Sequence, residues 1–380
     1  MLTAEGCAAR RERLWRALPG RCDALILTDP KSLISLANFA PSPFVFRSDG
    51  AGAVLVLEPG RSTLVADNLL QPFLRQAHVD AIEAPVWYEG KRSAPLRGAV
   101  LLQAALEVLG RVPGMRIGIE PAHVPAGLVE GLHAARGGLV LVDIGPALRA
   151  LRRAKDPDEL TLLRRSMRAG ELAHAAILKK AAPGMTEMEA YRLVQGVAQE
   201  DVGEQILVYG DFLSGPRCEL VGGPPTHRRI ARHDLLLVDF SVVLWGYRGD
   251  FANTFVVGGE PSDDQRRRFD ACLRALAAGE ALLRPGTPAR AVDVAVRSAF
   301  AAQGLAEGFR THAGHGLGLG HPEPPFLVPE SDDVLQTGDV VTLEPGQYVP
   351  GVGGMRYERN YLITADGFEL LSHHDLTIEA

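Results

Sequence analysis

Short apolar runs alternate with longer amphipathic stretches through the first 150 residues. Runs rich in leucine and β-branched residues at 23–29, 51–58, 62–67, 116–120 and 139–144 read as strands, and 99–109 and 125–135 read as helices between them. Gly20, Pro30, Pro59-Gly60 and Pro113-Gly114 punctuate the pattern, which predicts an N-terminal α/β domain over residues 1–150. The signals then change. Asp156, Pro157 and Glu159 form an N-cap, a first-turn proline and a closed capping box, opening a helix that runs to about Lys180. Pro183-Gly184 ends it, and Thr186 with Glu189 opens the next. Ser262 with Gln265 caps a further helix that ends near Pro285-Gly286, and Thr287-Pro288 opens one that Gly304 stops. Helix, Pro-Gly break, helix and strands thus occur twice over residues 151–380, with a step of 102 residues from Pro183 to Pro285. A strand-rich stretch with a glycine-rich turn follows each copy, at 235–257 and 339–364.

Carboxylates interrupt these strand-rich stretches. The run Leu235-Leu236-Leu237-Val238 leads into Asp239, and an acid at the end of such a run is costly to bury unless it is paired or holds a metal. Asp250 follows eleven residues on, and a hairpin turning around residues 244–246 sets the two acids on neighbouring strands. In the second copy Val340-Val341-Thr342-Leu343 leads into Glu344. Glu358 follows fourteen residues later, beyond the turn-forming Pro350-Gly351-Val352-Gly353-Gly354. The steps from Asp239 to Glu344 and from Asp250 to Glu358 are 105 and 108 residues, close to the step between the helix breaks. A pseudo-twofold pair of hairpins brings four carboxylates to one axis, where they cannot all stay ionised without positive charge. Oxygen ligands with one imidazole suit Mn, Co, Zn or Fe, and two ions fit the acid count better than one. His315, in Gly314-His315-Gly316-Leu317-Gly318-Leu319-Gly320-His321, is the imidazole candidate.

Composition narrows the alternatives. A length of 380 residues predicts two domains, and 46% hydrophobic with 23% charged residues is an ordinary globular balance. A net charge of −6 and a pI near 6.0 argue against a nucleic-acid partner bound through a basic face. No apolar run reaches the length of a membrane span, and Met1-Leu2-Thr3-Ala4-Glu5 followed by Arg10-Arg11 lacks an apolar signal core. Four cysteines without a close pair suggest neither a disulfide framework nor a zinc knuckle, so a reducing, cytoplasmic location is expected. Cys218 and Cys272 read as small buried hydrophobes, Trp87 and Tyr88 as a surface or core aromatic pair, and His373 and His374 as solvated tail residues.

At the acidic positions the sequence resembles peptidase family M24, the superfamily of creatinase, aminopeptidase P, prolidase and methionine aminopeptidase. Gly314-His315-Gly316, Thr342-Leu343-Glu344-Pro345-Gly346-Gln347-Tyr348 and Gly353-Gly354-Met355-Arg356-Tyr357-Glu358 match its specific strings, and residues 148–159 resemble the linker of its two-domain members. The resemblance implies an α+β protein: a pita-bread catalytic domain with pseudo-twofold symmetry, over 151–380, preceded by a creatinase-type N-terminal α/β domain. It implies five metal ligands, Asp239, Asp250, His315, Glu344 and Glu358, holding two divalent ions, manganese first among the candidates with Co, Zn or Fe as alternatives. Asp250 and Glu358 would bridge the ions, and a hydroxide held between them would attack the scissile carbonyl. Glu344 would relay the proton, His321 would stabilise the oxyanion, His312 would either support the ligands or serve the fold, and Arg356 would orient substrate or ligand carboxylate. The implied activity is hydrolysis of short peptides with proline in second position, as an aminopeptidase or a dipeptidase, in a homodimer.

The chain departs from the family pattern at several positions. Gly222 stands 17 residues before Asp239, where a substrate-contacting histidine is usual, and His227 nearby is either a substituted substrate ligand or an exposed loop histidine. His321 follows His315 by six positions where seven is usual, and Ser241, Ala252-Asn253-Thr254 and Arg359 replace familiar neighbours of the ligands. These changes keep open a metal-dependent hydrolase of a small non-peptide amide or C–N bond and, less favoured, a binding protein on the same scaffold.

Overall fold

The computed structural model describes residues 1–18, 20–41 and 52–380; Ala51, assigned to a strand from the pattern, lies outside them. Two compact units are present, Met1–Arg152 and Arg153–Ala380.

The first unit contains α1 (Ala4–Ala17), β1 (Ala24–Leu27), α2 (Pro30–Ala37), β2 (Ala53–Glu58), β3 (Arg61–Ala66), α3 (Gln71–Leu74), β4 (Ala81–Glu83), α4 (Arg97–Gly110), β5 (Arg116–Ile119), α5 (Ala126–Ala135), β6 (Val140–Asp143) and α6 (Gly145–Arg153). Its six strands form one sheet in the order β4-β3-β2-β1-β5-β6, with β2 antiparallel to β1 and β3 and the other pairs parallel. Leu25, Leu27, Leu55, Leu57 and Leu64 enter one core, while Ala24, Ile26, Val54, Val56 and Val65 enter another. Both faces of the central strands are covered, which is why their sequences are apolar throughout instead of alternating. The pattern gave no sign of α1, α2 or β4. Helix α1 is polar over most of its surface and buries only Cys7, Arg10 and Leu14, Arg10 by donating from Nε to Ser35 O at 2.7 Å. Trp87 and Tyr88 form a tilted pair, with Tyr88 exposed and the Arg97 guanidinium 4.4 Å above the Trp87 ring.

The second unit continues with α7 (Pro157–Lys180), α8 (Glu187–Val202), β7 (Leu207–Ser214), β8 (Leu235–Leu244), β9 (Tyr247–Val256), α9 (Asp263–Glu280), α10 (Ala289–Ala301), β10 (Gly314–Gly316), β11 (Glu323–Leu327), β12 (Val340–Leu343), β13 (Gly346–Val349), β14 (Gly353–Arg356), β15 (Arg359–Ile363) and β16 (Phe368–Leu370). The capping boxes of Asp156 with Glu159, Thr186 with Glu189 and Ser262 with Gln265 open α7, α8 and α9. Strands β7-β8-β9 form one antiparallel sheet, β11-β10-β12-β15-β16 a second, and β13-β14 a short third. Helix α7 lies against the first sheet. A Cβ on Gly170 would come within 2.0 Å of the Phe251 ring, so the helix approaches β9 more closely than any side chain would allow. Ser166 Oγ donates to Val242 O at 2.6 Å and accepts from Gly249 N at 2.7 Å, tying the same helix to both hairpin strands. Helices α9 and α10 cover the second sheet, with Ala275, Leu276, Val296 and Phe300 sharing a core with Val341 and Leu343.

Three expectations change. Asp239 does not end its strand: β8 runs on to Leu244, placing the acid mid-strand. The stretch from 339 to 364 is not one continuous hairpin: β12 pairs with β15 and β13 pairs with β14 in separate sheets, and Glu344-Pro345 and Tyr357-Glu358 form the joint between them. Pro345 brings no N–H to the ladder, and the arms part there. His374 is not a solvated tail residue; it is 4% exposed, its ring centroid 4.7 Å from that of buried His174 and 5.3 Å from Phe251, while His373 beside it is exposed.

Candidate metal centre

The first half of the site comes from an uninterrupted hairpin. Leu244 pairs with Tyr247 across a two-residue turn in which Trp245 and Gly246 have φ of 52° and 84°. Positive φ at both positions is the turn whose twist matches that of antiparallel strands. The register it sets places Asp239 opposite Ala252 and Ser241 opposite Asp250, so Asp239 and Asp250 share one face of the sheet. Ser241 Oγ donates to Asp250 Oδ1 at 3.3 Å.

The second half comes from the joint between ladders. Glu344 N donates to Ala313 O at 2.9 Å, and Glu358 N donates to Ala252 O at 3.0 Å. Arg356 N donates to Thr254 Oγ1 at 3.0 Å, Tyr357 Oη donates to Thr254 O at 2.6 Å, and Asn360 Nδ2 donates to Asp250 O. The backbone N–H groups of Arg356 and Glu358, released where the arms part, are therefore taken up by the first hairpin, and that of Glu344 by Ala313, which brings the two acidic pairs together. The short strand β10 supplies His315. A Cβ on Gly314 would stand 1.9 Å from Thr342 O, and Gly314 has a φ of 159°, so backbone passes backbone here without room for a side chain.

The expected ligands converge. Asp239, Asp250 and Glu358 present ligand atoms within 4.8 Å of one another; His312, His315 and Glu344 do the same with ring nitrogens and a carboxylate oxygen, as do Asp250, His315 and His321. His315 Nε2 lies 3.2 Å from Glu344 Oε1 and 3.8 Å from Asp250 Oδ2. Its Nδ1 is 2.9 Å from Gly316 O, an acceptor only, so Nδ1 carries a proton and Nε2 is the nitrogen turned to the acids. His312 Nε2 is 3.0 Å from Glu344 Oε1, His321 Nε2 lies against Asp250 Oδ2, and Arg356 Nη1 pairs with Asp239 while its Nε donates to Tyr348 Oη at 2.7 Å. His227 is exposed and stands outside these clusters.

The electrostatics describe a site short of positive charge. Burial, reinforced by the charges of Asp250 and Glu344 and opposed by Arg356, pushes Asp239 up to about 8. Burial and the neighbouring Asp250, Glu344 and Asp239 drive Glu358 well above the carboxylate range, despite a hydrogen bond from Thr342. Burial opposes ionisation of Glu344 too, yet hydrogen bonds from His312 and His315 hold it well below the usual value. For His315 burial disfavours the imidazolium, but the hydrogen bond and charge of Glu344, with Asp250, outweigh it and push the group up to about 9. Burial and mutual repulsion thus favour protons on Asp239 and Glu358, and the facing acids favour one on His315; divalent cations would compete with these protons. Four buried carboxylates and one oriented imidazole form a donor set that fits Mn, Co, Zn or Fe.

Sequence reading passed over two charged residues on the same sheet face. Asp211 on β7 pairs with Asp239 across the ladder, accepts from Gly223 N at 2.8 Å, and would crowd a Cβ on Gly222 at 2.7 Å. Arg248 on β9 lies two residues before Asp250 and so on its face. The two-residue spacing of Arg248 and Asp250 along β9 was a signal for Arg248, whereas Asp211 is placed only by the register of β7 on β8.

Comparison with known proteins agrees with this architecture. Residues 161–365 match metallopeptidase family M24, and residues 10–154 match the creatinase/prolidase N-terminal domain. The uncharacterized peptidase YqhT of Bacillus subtilis (strain 168) is 30% identical over 282 residues, 73% of this chain and 78% of that protein. An uncharacterized peptidase of Staphylococcus aureus (strain USA300) is 31% identical over 241 residues, covering 61% of this chain and 66% of the relative's length. Among solved structures, the Xaa-Pro dipeptidase from Bacillus anthracis superposes with a TM-score of 0.83 at 25% identity, covering 98% of this chain and 100% of that one. The prolidase from Pyrococcus horikoshii OT3 also reaches 0.83, at 23% identity with 97% and 99% covered, a likeness of pita-bread fold. With a family match over more than half of its length, the chain belongs to metallopeptidase family M24.

Proposed function

We propose that this protein is a dinuclear metal-dependent hydrolase of short peptides with proline in second position, an Xaa-Pro aminopeptidase or dipeptidase. The observation that carries the reading is the convergence of Asp239, Asp250, His315, Glu344 and Glu358, drawn from both halves of the unit, on one buried spot. These five residues would hold two divalent ions, manganese being the first to test. Asp250, which neighbours both Glu358 and His315, is suited to serve both ions. Bound ions would supply Lewis acidity and a water of lowered pKa.

The chain's own residues do the rest. Gly316 O fixes the His315 tautomer, leaving Nε2 free to ligate. Glu344, held between His312 and His315, is placed to take and relay a proton at Oε1. His321 is 26% exposed at its side chain, far more than the acids behind it, and so can donate to a developing oxyanion at the solvent-facing side. Arg356 orients Asp239 from behind. The family likeness extends the proposal to a cytoplasmic homodimer.

Gly222 and the Asp211 carboxylate beside it favour a second reading, hydrolysis of a small non-peptide amide or C–N bond, because a substrate-contacting histidine is missing there. Elemental analysis of purified protein, with Xaa-Pro dipeptides and Xaa-Pro-Yaa tripeptides assayed in added manganese or cobalt, separates the readings. Two bound ions and Xaa-Pro turnover are expected; turnover of small amides alone would establish the second reading, and an ion-free, inactive protein would overturn both.

A further inference from the structure

The arginines around the centre are almost all tied to acids. Arg356 pairs with Asp239, Arg217 with Glu187, Arg228 with Asp234 and Arg153 with Asp339. Arg248 differs. It is half-buried, it forms no ion pair among the described residues, and its Nε is buried without a hydrogen-bond partner. Its Nη1 meets only the Tyr209 hydroxyl, and Tyr209 is 41% exposed. A guanidinium recruited merely to balance the acidic cluster would lie against a carboxylate, as Arg356 does; Arg248 feels the charges of Asp250 and Glu323 but lies over the exposed Tyr209 ring, 5.4 Å from its centroid.

Its position is fixed on both sides. Arg248 N donates to Gly318 O at 3.2 Å, which binds the start of β9 to the loop that ends in His321. Across the sheet Arg248 pairs with Val243, two rows along from the Ser241–Asp250 pair and so on the same face, and Tyr209 stands opposite Ser241. Arg248 and Asp250 are two positions apart on the strand, with Gly249 between them, a spacing of roughly 6.6–6.8 Å between Cα atoms. One extended peptide residue spans about 3.3–3.6 Å. A carboxylate one residue beyond a scissile bond at the acidic cluster therefore falls within reach of the long Arg248 side chain. The planar guanidinium matches a carboxylate in a way that no neutral amide does.

We propose that Arg248, steadied by Tyr209, anchors the C-terminal carboxylate of the substrate and selects peptides that end one residue beyond the cleaved bond. This rests on the peptidase reading and narrows it from aminopeptidase toward dipeptidase.

The test pairs a non-cleavable Ala-Pro analogue, its scissile amide reduced to a methylene-amine, with the same analogue as its C-terminal carboxamide. Calorimetric binding to the wild type and to Arg248→Met and Arg248→Lys is measured beside Ala-Pro kinetics. The wild type prefers the acid by roughly 10- to 100-fold. Arg248→Met abolishes that preference, leaves carboxamide affinity unchanged, and raises the KM for Ala-Pro by the same factor with kcat within a few-fold; Arg248→Lys restores part of it. Should Arg248→Met fail to fold, Tyr209→Phe takes its place, with a smaller loss confined to the acid. Equal binding of acid and carboxamide by the wild type, or equal weakening of both in the variants, overturns the anchor. A protein that keeps the acid preference yet cleaves no peptide refutes the peptidase reading and leaves the anchor standing; turnover without acid preference does the reverse.

Discussion

The two acidic pairs reach the same centre by different routes. Asp239 and Asp250 ride on ten-residue strands joined by a tight turn and paired without interruption, so one register fixes both. Glu344 and Glu358 sit where the second hairpin comes apart: Glu344 N is held by Ala313 O, and the Glu358 arm is set by contacts with the first hairpin, Glu358 N to Ala252 O, Asn360 to Asp250 O, and Arg356 with Thr254. The first half is a self-contained template, and the second is moulded onto it. A change in the first hairpin should therefore disturb all of the acids, whereas a change in the second should remain more local.

The largest effect is expected at Asp250, which clusters both with Asp239 and Glu358 and with His315 and His321. Asp250→Asn should lose bound metal and reduce peptidase turnover to background. Glu344→Gln should keep part of the metal while lowering kcat on the order of 10²–10⁴-fold. Metal content and kcat measured together check the pair, and equal metal loss in both variants would erase the proposed asymmetry. Next comes Gly170→Ala, which forces a methyl into the Phe251 ring and should cost about 1–3 kcal/mol, read from chemical denaturation, with metal affinity falling alongside.

Acidity and alkalinity should act on different regions. In metal-free protein Asp239, raised from 3.8 to about 8, binds a proton in the folded state that the unfolded chain has released. Stability attributable to it therefore falls as pH rises from about 4 through 8, and saturating metal should flatten that slope. His315, raised to about 9, extends the decline upward from pH 6.5. His174, lowered by burial to about 3, has the opposite sign: below pH 6.5 the unfolded state gains a proton that the folded state refuses, so stability drops toward pH 3. Melting temperature against pH, with and without manganese, resolves the two limbs, and His174→Leu should shrink the acid limb, to which His374 contributes with the same sign, while leaving the alkaline limb in place. The smallest effects are expected from Thr254→Val and Gly246→Ala. Loss of the Thr254 link to Arg356 should cost roughly 1 kcal/mol. Placing a Cβ at the positive φ of Gly246 should also cost about 1 kcal/mol, and it should weaken both aspartates' hold on metal if the first hairpin is the template.

Local chemistry was legible in the sequence wherever a motif acts within a few residues. The capping boxes at Asp156, Thr186 and Ser262 open the helices that their side chains imply, and the Asp239–Asp250 hairpin turns within the expected residues. What depends on distant partners was not. His374 is buried by His174, two hundred residues away, and nothing beside it in the chain announces that contact. Asp211 gains its place only through register with Asp239, and Arg248 stands out only because no acid lies against it. The parting of the second hairpin lay between these cases: Pro345, directly after Glu344, marked the residue where pairing had to stop.

One contact also bears on how the molecule can be dissected. Lys155, just ahead of the first long helix of the second unit, is buried with its Nζ 2.6 Å from Glu323 Oε1. The other oxygen of Glu323 accepts from Gly320 N at 2.8 Å, beside His321. A residue that reads as linker therefore braces the histidine segment. A truncated form beginning at Asp156 would leave Glu323 buried without its cation, whereas one beginning at Arg153 would retain both Lys155 and the Arg153–Asp339 pair. Two cuts three residues apart should thus yield fragments of very different solubility and metal retention.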